Sequence, residues 1–466
     1  MKSLFSEKNF LSTSTVIIAI LLIINLFILR VGVEDNGSLS YTLQKMNMYD
    51  VNAASGSGFY SNLYGVEGST LNLMSGNIVY SIVGWLSSLS GIGVVSVYIP
   101  AVIFSVIFII GTYLLLKKIK AAYNWNNLLS FIMFAIILCD IGYISYMNTP
   151  YTYSMIVAFL PIFIYSVLNL CEKHTVGSLV LELLFSLLLF NSNVVLSVIG
   201  IIYGLYSLRF IAFDNRVTYK VISILCSVVI IVSNLVFITN YNSKEALYNS
   251  CFYGALLGRN SSAVVNLPQE YEKYIGVPAY EDEAQQFINS DKFNDFKSKT
   301  GYKGIITYYA KNPKVFLKTL KDTAMNGTVI KIDYLGNYSV GSKHYSKQQA
   351  KFWGLYNIVK RRLFPTNLFI MIILFIAVIS LSFNFKKNYS KSAESKFSSE
   401  LLSLSALSAI VALLITPIIF GQAEINFNLF VFNILTDITV LFSIIGGTRM
   451  LFIKRTILTT KYGVNQ

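Results

Sequence analysis

Charged residues are scarce in this sequence, and their scarcity excludes an ordinary soluble protein. Only 13% of the 466 residues are Asp, Glu, Lys or Arg, whereas 54% are hydrophobic. A soluble domain carries about 25% charged residues, because its surface must face water. Much of the surface of this chain must therefore face lipid, which indicates an integral membrane protein.

Residues that support several common chemistries are also few. The chain has two histidines, His174 and His344, which excludes a His-rich metal site, and four cysteines without a C-x-x-C pair, which argues against a thiolate metal site. It has no P-loop, no Rossmann glycine pattern and no HExxH motif, which argues against ATP-driven chemistry. The net charge of +14 does not indicate nucleic acid as a partner, since the basic residues lie in short loops beside apolar runs.

What the sequence does contain is a series of long apolar runs. The first, Thr15–Val33, follows Lys2 and Lys8 and is too long for a signal peptide, so we predict a retained helix with a cytoplasmic N-terminus. Ile78–Leu89 is too short to span and is predicted to be interfacial or re-entrant. Nine further runs are predicted to span the membrane: Gly91–Leu116, Leu128–Tyr146, Tyr151–Leu170, Ser178–Phe190, Val194–Phe210, Val221–Asn240, Phe364–Phe383, Leu401–Phe420 and Phe427–Ile445.

The composition divides the chain into three parts. Residues 1–240 form an N-terminal transmembrane module with a first external loop at 34–77. Residues 241–362 contain no run long enough to span and are predicted to be an extracytoplasmic domain. Residues 363–466 supply the last spans and a basic tail, which places the C-terminus in the cytoplasm. The predicted fold is an all-α polytopic membrane protein of about ten transmembrane helices with a small mixed extracytoplasmic domain.

Two adjacent carboxylates follow the first predicted helix. Glu34 and Asp35 precede Asn36 and Gly37 at the predicted outer membrane surface. Such a pair suits a general base or a site for a divalent metal, the one cofactor that the sequence leaves open. The alternative is a solvated acidic loop that ends in an Asn-Gly turn.

Asp140 lies inside a predicted span, where a carboxylate is costly and marks a functional site by default. It shares a helical face with Tyr143, and Tyr146 and Asn148 lie near that face. The alternative is a carboxylate near the interface that bonds a neighbouring tyrosine.

Asp437 is a second acid within a predicted span. Asn433 precedes it by one helical turn, so the two side chains could form one polar site. The alternative is a pair that only bonds a neighbouring helix. Glu182 lies near a predicted cytoplasmic helix end and is expected to be structural.

Basic residues flank the predicted spans on the external side. Arg30 follows the first helix, and Arg361 and Arg362 precede the first span of the C-terminal part. Arginine suits phosphate binding, although basic residues beside spans are usually interface anchors.

These segments resemble the WsfD-like hexosyltransferases of bacterial surface-glycan synthesis, which belong to the GT-C membrane glycosyltransferases. The resemblance lies in Asp35–Ser38, Asp140–Asn148, Phe252–Leu257, Leu335–Tyr338 and Leu429–Asp437. The chain departs from the family pattern in two places. Ser38 stands where a second acid is expected, and the residues after Asn148 lack an acid.

The resemblance implies transfer of a hexose from a polyprenyl-phosphate donor to a cell-surface glycan or glycolipid at the outer face. Asp35 would be the general base and Glu34 an auxiliary carboxylate. Membrane lipid is the surrounding partner. The implied substrate-binding residues are Arg30, Asn36, Asp140, Tyr143, Tyr146, Asn148, Asn337, Tyr338, Arg361 and Arg362.

Two alternatives remain at this point. Because two family acids are missing, the chain could be a non-catalytic accessory protein that binds a lipid-linked saccharide. A transporter or flippase is the other alternative, and Asp140 and Asp437 would then line its path.

Overall fold

The computed structural model describes residues 7–35, 39–52, 54, 56–123, 127–258, 267–388 and 393–445. Helices account for most of this part of the chain. They are α1 (Glu7–Leu22), α2 (Leu39–Lys45), α3 (Ile78–Leu89), α4 (Tyr98–Tyr123), α5 (Asn127–Leu138), α6 (Ile141–Ile144), α7 (Tyr153–Lys173), α8 (Val176–Phe190), α9 (Val194–Ser207), α10 (Val217–Thr239), α11 (Lys244–Ser250), α12 (Asp282–Ile288), α13 (Asp291–Lys299), α14 (Gly301–Lys311), α15 (Pro313–Asn326), α16 (Leu355–Leu363), α17 (Leu368–Asn388), α18 (Ala393–Phe420), α19 (Ile425–Asn428) and α20 (Phe430–Ile445).

Several of these helices continue into short segments of tighter or wider winding. A π-helical turn, Ile23–Ile28, extends α1, and another, Cys251–Ala255, extends α11. The 3₁₀ segments are Ser145–Asn148 after α6, Leu208–Phe213 after α9, and Gln269–Tyr274.

Among the described residues, six helices are long and apolar enough to cross a membrane, and the number rises to eight if each of two bent pairs is one span. The six are Leu11–Ile28, Tyr98–Ile119, Tyr153–Lys173, Val194–Phe213, Val217–Thr239 and Ser399–Phe420. The bent pairs are Ser130–Leu138 with Ile141–Asn148, and Leu355–Leu363 with Leu368–Asn384. The prediction of a mostly helical, multi-pass membrane protein is confirmed. All ten predicted spans fall on helices, but α8 and α20 are shorter than the other candidates.

Two predicted span boundaries differ from the structure for local reasons. The predicted span Gly91–Leu116 begins only at Tyr98, because Val94–Ser96 forms a strand instead. The predicted span from Phe364 begins at Leu368, and the preceding helix α16 bends away from it by 104°. Pro365 explains the bend, since a proline disfavours helical geometry at the residue before it, and Phe364 is extended.

Five short strands tie the loops together. β2 (Met48–Asp50), β3 (Leu63–Val66) and β4 (Val94–Ser96) form an antiparallel sheet within the first loop. β1 (Val31–Val33) pairs with β5 (Leu335–Tyr338), so that Val31 lies opposite Tyr338 and Gly32 opposite Asn337. A side chain on Gly32 would lie 2.8 Å from the Tyr60 ring, which explains the glycine. The β1–β5 pair joins the first loop to the 241–362 segment.

The 241–362 segment packs in two ways. Its first half, from Leu247 to Tyr309, has an aromatic core of its own around Phe252 and Phe287. In its second half, Leu320, Ile330 and Leu335 are among the side chains that belong to the core of the helix bundle. We call the end of the bundle at which α10 ends and α17 begins the domain end.

Candidate functional site

A cavity of about 170 Å³ opens at the domain end of the bundle. Its walls come from α2, the start of α7, the end of α10 and the link after α18. Eight aromatic rings line it, and we call it the aromatic cavity: Tyr41, Tyr151, Tyr153, Phe237, Tyr241, Tyr280, Phe420 and Phe427. A concave site that combines apolar ring faces with a few polar groups is typical of small-molecule binding sites.

Besides hydroxyls, the polar groups of the aromatic cavity are carboxylates, amides and a lysine. The carboxylates are Glu424 and Glu245, and the lysine is Lys45. The amides are Asn193, Asn240, Asn249, Gln285 and Asn428. Carboxylates accept hydrogen bonds, and amides both donate and accept them, which matches a ligand rich in hydroxyl groups.

Glu424 lies in the short link between α18 and α19 and has an unusual backbone conformation. Its φ is +50°, in the left-handed region that a non-glycine residue seldom adopts. The link also requires Gly421, since a Cβ there would lie 2.1 Å from the carbonyl oxygen of Asn249. Strained backbone of this kind clusters at functional sites, where the surrounding fold holds a side chain in place.

Tyr334 binds Glu424 from the 241–362 segment. Its hydroxyl donates a hydrogen bond to Glu424 Oε2. Burial, followed by the neighbouring Glu424 carboxylate, raises the pKa of Tyr334 above its ordinary value. Burial likewise raises the pKa of Tyr241 well above its ordinary value. Both phenols therefore stay protonated at neutral pH and act as hydrogen-bond donors.

Asp35 reaches the same region from the first loop. It is partly buried, and its Oδ1 accepts hydrogen bonds from Leu39 N at 3.2 Å and from the Tyr151 hydroxyl at 3.4 Å. The Tyr151 ring lines the aromatic cavity. Asp35 therefore borders the cavity through Tyr151, just as Tyr334 reaches it through Glu424.

One aromatic ring connects these two pairs. The Phe427 ring centroid lies 5.0 Å from that of Tyr151 and 5.9 Å from that of Tyr334. The backbone next to the β1–β5 pair holds Tyr334 close to the first loop, because Glu34 N donates to the carbonyl oxygen of Tyr334 at 2.9 Å. The fold therefore brings Asp35, from the first loop, and Glu424, from the last, to one aromatic cluster.

The sequence of this chain matches the family model for the YfdI N-terminal transmembrane domain over residues 2–463. The protein belongs to the YfdI N-terminal transmembrane domain family. The comparisons found no match among curated proteins and none among solved structures. The family agrees with the helices described above, which identify a multi-pass membrane protein.

In this YfdI family member, Glu34 has a different environment from its neighbour Asp35. It is buried, and its Oε1 accepts a hydrogen bond from Gly58 N at 2.7 Å. Its Oε2 accepts one from Asn337 Nδ2 at 3.0 Å. Glu34 therefore fastens the first loop to β5. Both oxygens of this carboxylate therefore bind protein groups.

Asp140 lies at the break between α5 and α6 and binds backbone amides. Its Oδ1 accepts from Gly142 N at 2.8 Å, as an N-cap of α6. Its Oδ2 accepts from Asn357 N at 3.2 Å, near the start of α16. Tyr143 does not pair with Asp140, because its hydroxyl donates to Asp437. Asp140 thus joins two helix starts and does not line the aromatic cavity.

Asp437 forms a fully buried ion pair with Lys360. The Lys360 Nζ atom lies 2.6 Å from Asp437 Oδ1, and both side chains are 0% exposed. Tyr143 and Tyr356 also donate to this carboxylate. Asn433 does not share the pair through its side chain, since its Nδ2 donates to the carbonyl oxygen of Val329 at 3.0 Å. A buried ion pair needs such additional bonds, because both charges have lost their water.

Glu182 agrees with its expected structural role. It lies in α8 and is 0% exposed. Its Oε1 accepts hydrogen bonds at 2.6 Å from the hydroxyls of Ser186 and Tyr203.

The other predicted site residues lie around the aromatic cavity, not in its wall. Tyr146 packs beneath it, with its ring centroid 5.2 Å from that of Tyr153 and 4.9 Å from that of Phe430. Asn148 Nδ2 donates to the carbonyl oxygens of Leu26 and Val31.

Five further predicted site residues lie on β5, at the membrane border or outside the described residues. Tyr338 stacks on His344 with ring centroids 3.5 Å apart. The Arg30 guanidinium lies 5.8 Å from the Tyr98 ring centroid. Arg361 and Arg362 are exposed on α16. Asn36 lies outside the described residues.

Sequence reasoning missed most of the residues that form the aromatic cavity. Glu424 carried one signal, as an acid in a short link between two spans. Tyr151, Tyr153 and Tyr241 carried only the signal of tyrosines at span ends, which usually indicates the membrane interface. In the described part of the chain, no group of three His, Cys, Asp or Glu side chains could hold a metal ion.

Proposed function

We propose that this chain is a GT-C-type glycosyltransferase that moves a hexose from a polyprenyl-phosphate donor to a surface glycan or glycolipid. The observation that carries the proposal is the aromatic cavity, at which Asp35 with Tyr151 and Glu424 with Tyr334 come together. Aromatic faces and carboxylates are the groups that a hexose requires. The WsfD-like sequence resemblance supports the choice of hexose and of a lipid-linked donor.

In this proposal the domain end faces outward and both termini are cytoplasmic. The distribution of basic residues supports this orientation, because cytoplasmic loops are rich in lysine and arginine. At the opposite end of the bundle, Lys117 and Lys118 lie in α4, Arg209 follows α9, and Lys386 and Lys387 end α17.

The reaction is a single displacement at the anomeric carbon of the donor. Asp35 accepts the proton of the acceptor hydroxyl as that oxygen forms the new bond to the anomeric carbon. The bond from this carbon to the phosphate oxygen breaks, and the polyprenyl phosphate leaves with the electron pair. Glu424 binds sugar hydroxyls from the other side of the cavity, where Tyr334 orients its carboxylate.

The donor's lipid requires a membrane-facing surface beside a basic group. Helix α16 has this combination, since Leu355 is 64% exposed and Leu363 is 77% exposed on the helix that carries Arg361 and Arg362. An amphipathic helix of this kind lies in the membrane interface and attracts anionic headgroups. We propose that α16 receives the donor phosphate.

The contacts of the acids inside the membrane favour the transferase over a transporter. Asp437 is paired with Lys360, and Asp140 binds two backbone amides. Carboxylates with fully used oxygens stabilise the packing of helices and are poorly suited to line a transport path.

The test is transfer in lipid vesicles that contain the purified protein and a polyprenyl-phosphate hexose. We expect Asp35→Asn to lower the rate about 100- to 10,000-fold, the usual contribution of a general base. The matched control is Asp333→Asn, because Asp333 is an exposed carboxylate beside Tyr334. The product is measured by mass spectrometry of the acceptor.

The outcomes separate the remaining alternatives. Transfer by the natural sequence and by Asp333→Asn, but not by Asp35→Asn, supports the proposal. Equal transfer by all three removes Asp35 from catalysis. Binding of the lipid-linked sugar without transfer by any of them would indicate the accessory protein.

A further inference from the structure

A second, larger cavity of about 1200 Å³ lies beside the aromatic cavity. It is formed by the end of α2, the end of α10, and helices α13 and α14. We call it the basic groove after the five lysines that line it: Lys45, Lys297, Lys299, Lys303 and Lys311. None of the described residues that line it is a carboxylate.

Lys303 and Lys311 have their charge available for a ligand. In the described part of the chain, no ion pair involves Lys303 or Lys311, and both are exposed on α14. By contrast, Lys299 pairs with Asp295 at 2.7 Å. Lys297 donates to the neutral amide Oδ1 of Asn242 at 2.6 Å, a bond that does not neutralise its charge. Lys303 and Lys311 therefore place two available charges on one helix.

Lys303 and Lys311 are arranged as a repeat along α14. They lie eight residues apart, with Thr307 between them, on one face of the helix. A ligand with several negative charges in a row fits this spacing better than a single small anion does.

The rest of the basic groove is polar rather than apolar. Its wall includes Ser298, Thr300, Asn312 and two glycines. A lipid bound by its headgroup would need an apolar bed for its acyl chains. Hydroxyls, amides and exposed backbone are suited to a hydrophilic chain.

The basic groove adjoins the aromatic cavity. Lys45, Met74, Asn240, Tyr241 and Ser243 line both spaces. A chain that lies in the groove therefore has its end beside the rings and carboxylates of the aromatic cavity.

We propose that the basic groove binds an anionic glycan, and that this glycan is the acceptor. Its phosphate or carboxylate groups contact Lys303 and Lys311, and its hydroxyl-bearing end enters the aromatic cavity. The assignment as acceptor rests on the proposed glycosyltransferase function. Binding of the anionic glycan to the groove does not depend on turnover.

The test is direct binding of a fluorescent poly(glycerol phosphate) to the full chain in nanodiscs of uncharged phosphatidylcholine. We expect binding that weakens with salt, and no comparable binding of a neutral dextran of the same length. Lys303→Glu with Lys311→Glu should weaken binding at least about tenfold, since two attractive contacts become repulsive. Lys303→Gln with Lys311→Gln should weaken it less.

The matched control is Lys314→Glu with Lys318→Glu. These lysines are exposed on α15 and do not line the basic groove. An equal loss of binding in this control would overturn the proposal, because it would indicate a diffuse charge effect. Absence of binding to the natural sequence would also overturn it.

Two further measurements complete the test: a competition with lipid vesicles and the binding of the polymer to a catalytic variant. Phosphatidylglycerol vesicles that compete through the same two lysines, without any polymer binding, would assign the groove to lipid headgroups and overturn the proposal. Asp35→Asn should bind the polymer normally. Polymer binding without any sugar transfer would refute the transferase and leave the groove assignment intact. Transfer to a neutral acceptor without polymer binding would refute the proposal that the basic groove binds an anionic glycan, and it would leave the transferase proposal intact.

Discussion

The acids inside the helix bundle and the acids at its domain end have opposite environments. Asp140 and Asp437 are fully buried and use both carboxylate oxygens on protein partners. Asp35 is only partly buried, and Glu424 lines a cavity. A charge away from water is tolerated only when its partners satisfy it, so the costliest acids here are structural. The candidate site residues Asp35 and Glu424 lie where a carboxylate ionises at a lower cost.

The largest effect on stability should come from Lys360→Met, which breaks the buried pair. It leaves Asp437 buried without its cation, and we expect a loss of about 3–5 kcal/mol in the free energy of unfolding. The measurement is unfolding in detergent, with Lys314→Met as the exposed control. Lys360→Met with Asp437→Leu should recover most of the loss. A single variant as stable as the control would show that the pair does not stabilise the bundle.

A smaller effect, on substrate binding alone, is expected from Glu424→Gln. Loss of the charged acceptor should raise the KM for the sugar about tenfold, the value of one charge-assisted hydrogen bond. The unfolding temperature should change little, because the amide oxygen can still accept the hydrogen bond from Tyr334. Glu281→Gln is the control, since Glu281 is an exposed acid beside Tyr280. An unchanged KM together with a lower unfolding temperature would show that Glu424 stabilises the fold and does not bind the sugar.

The smallest effect is expected from Glu34→Gln, which tests whether two neighbouring acids differ in role. The amide oxygen can still accept from Gly58 N, but the bond from Asn337 is lost. We expect a loss of about 1 kcal/mol in the free energy of unfolding and no change in kcat. Glu67→Gln, an exposed acid of the same loop, is the control. A large fall in kcat would make Glu34 part of the catalytic site.

Local patterns predicted the helices well and the short strands poorly. A long apolar run indicates a span by itself, and each predicted run contains a helix. The β1–β5 pairing joins residues as distant as Val31 and Tyr338 through strands of three and four residues. Strands so short carry no alternating pattern, and nothing in either segment points to its partner. The signal for the bend before α17 was present at Pro365.

The site was predicted only in part, because segments that are distant in the sequence build it. Asp35 was identified from its position after the first span, and it borders the aromatic cavity through Tyr151. Glu424 was missed, since an acid between two close spans looks like an ordinary flanking residue. The rings of Tyr153 and Tyr241 have no local signature beyond that of interface tyrosines. Their convergence depends on the tertiary fold, which brings the start of α7 and the end of α10 to one cavity.

The most direct test of the account is a cryo-electron microscopy structure in nanodiscs with a non-hydrolysable polyprenyl-phosphate hexose. We expect the sugar ring between Tyr153 and Tyr241, with its hydroxyls within hydrogen-bonding distance of Glu424. Asp35 should lie on the side of the anomeric carbon. A hexose bound elsewhere on the protein, with the aromatic cavity empty, would contradict the account.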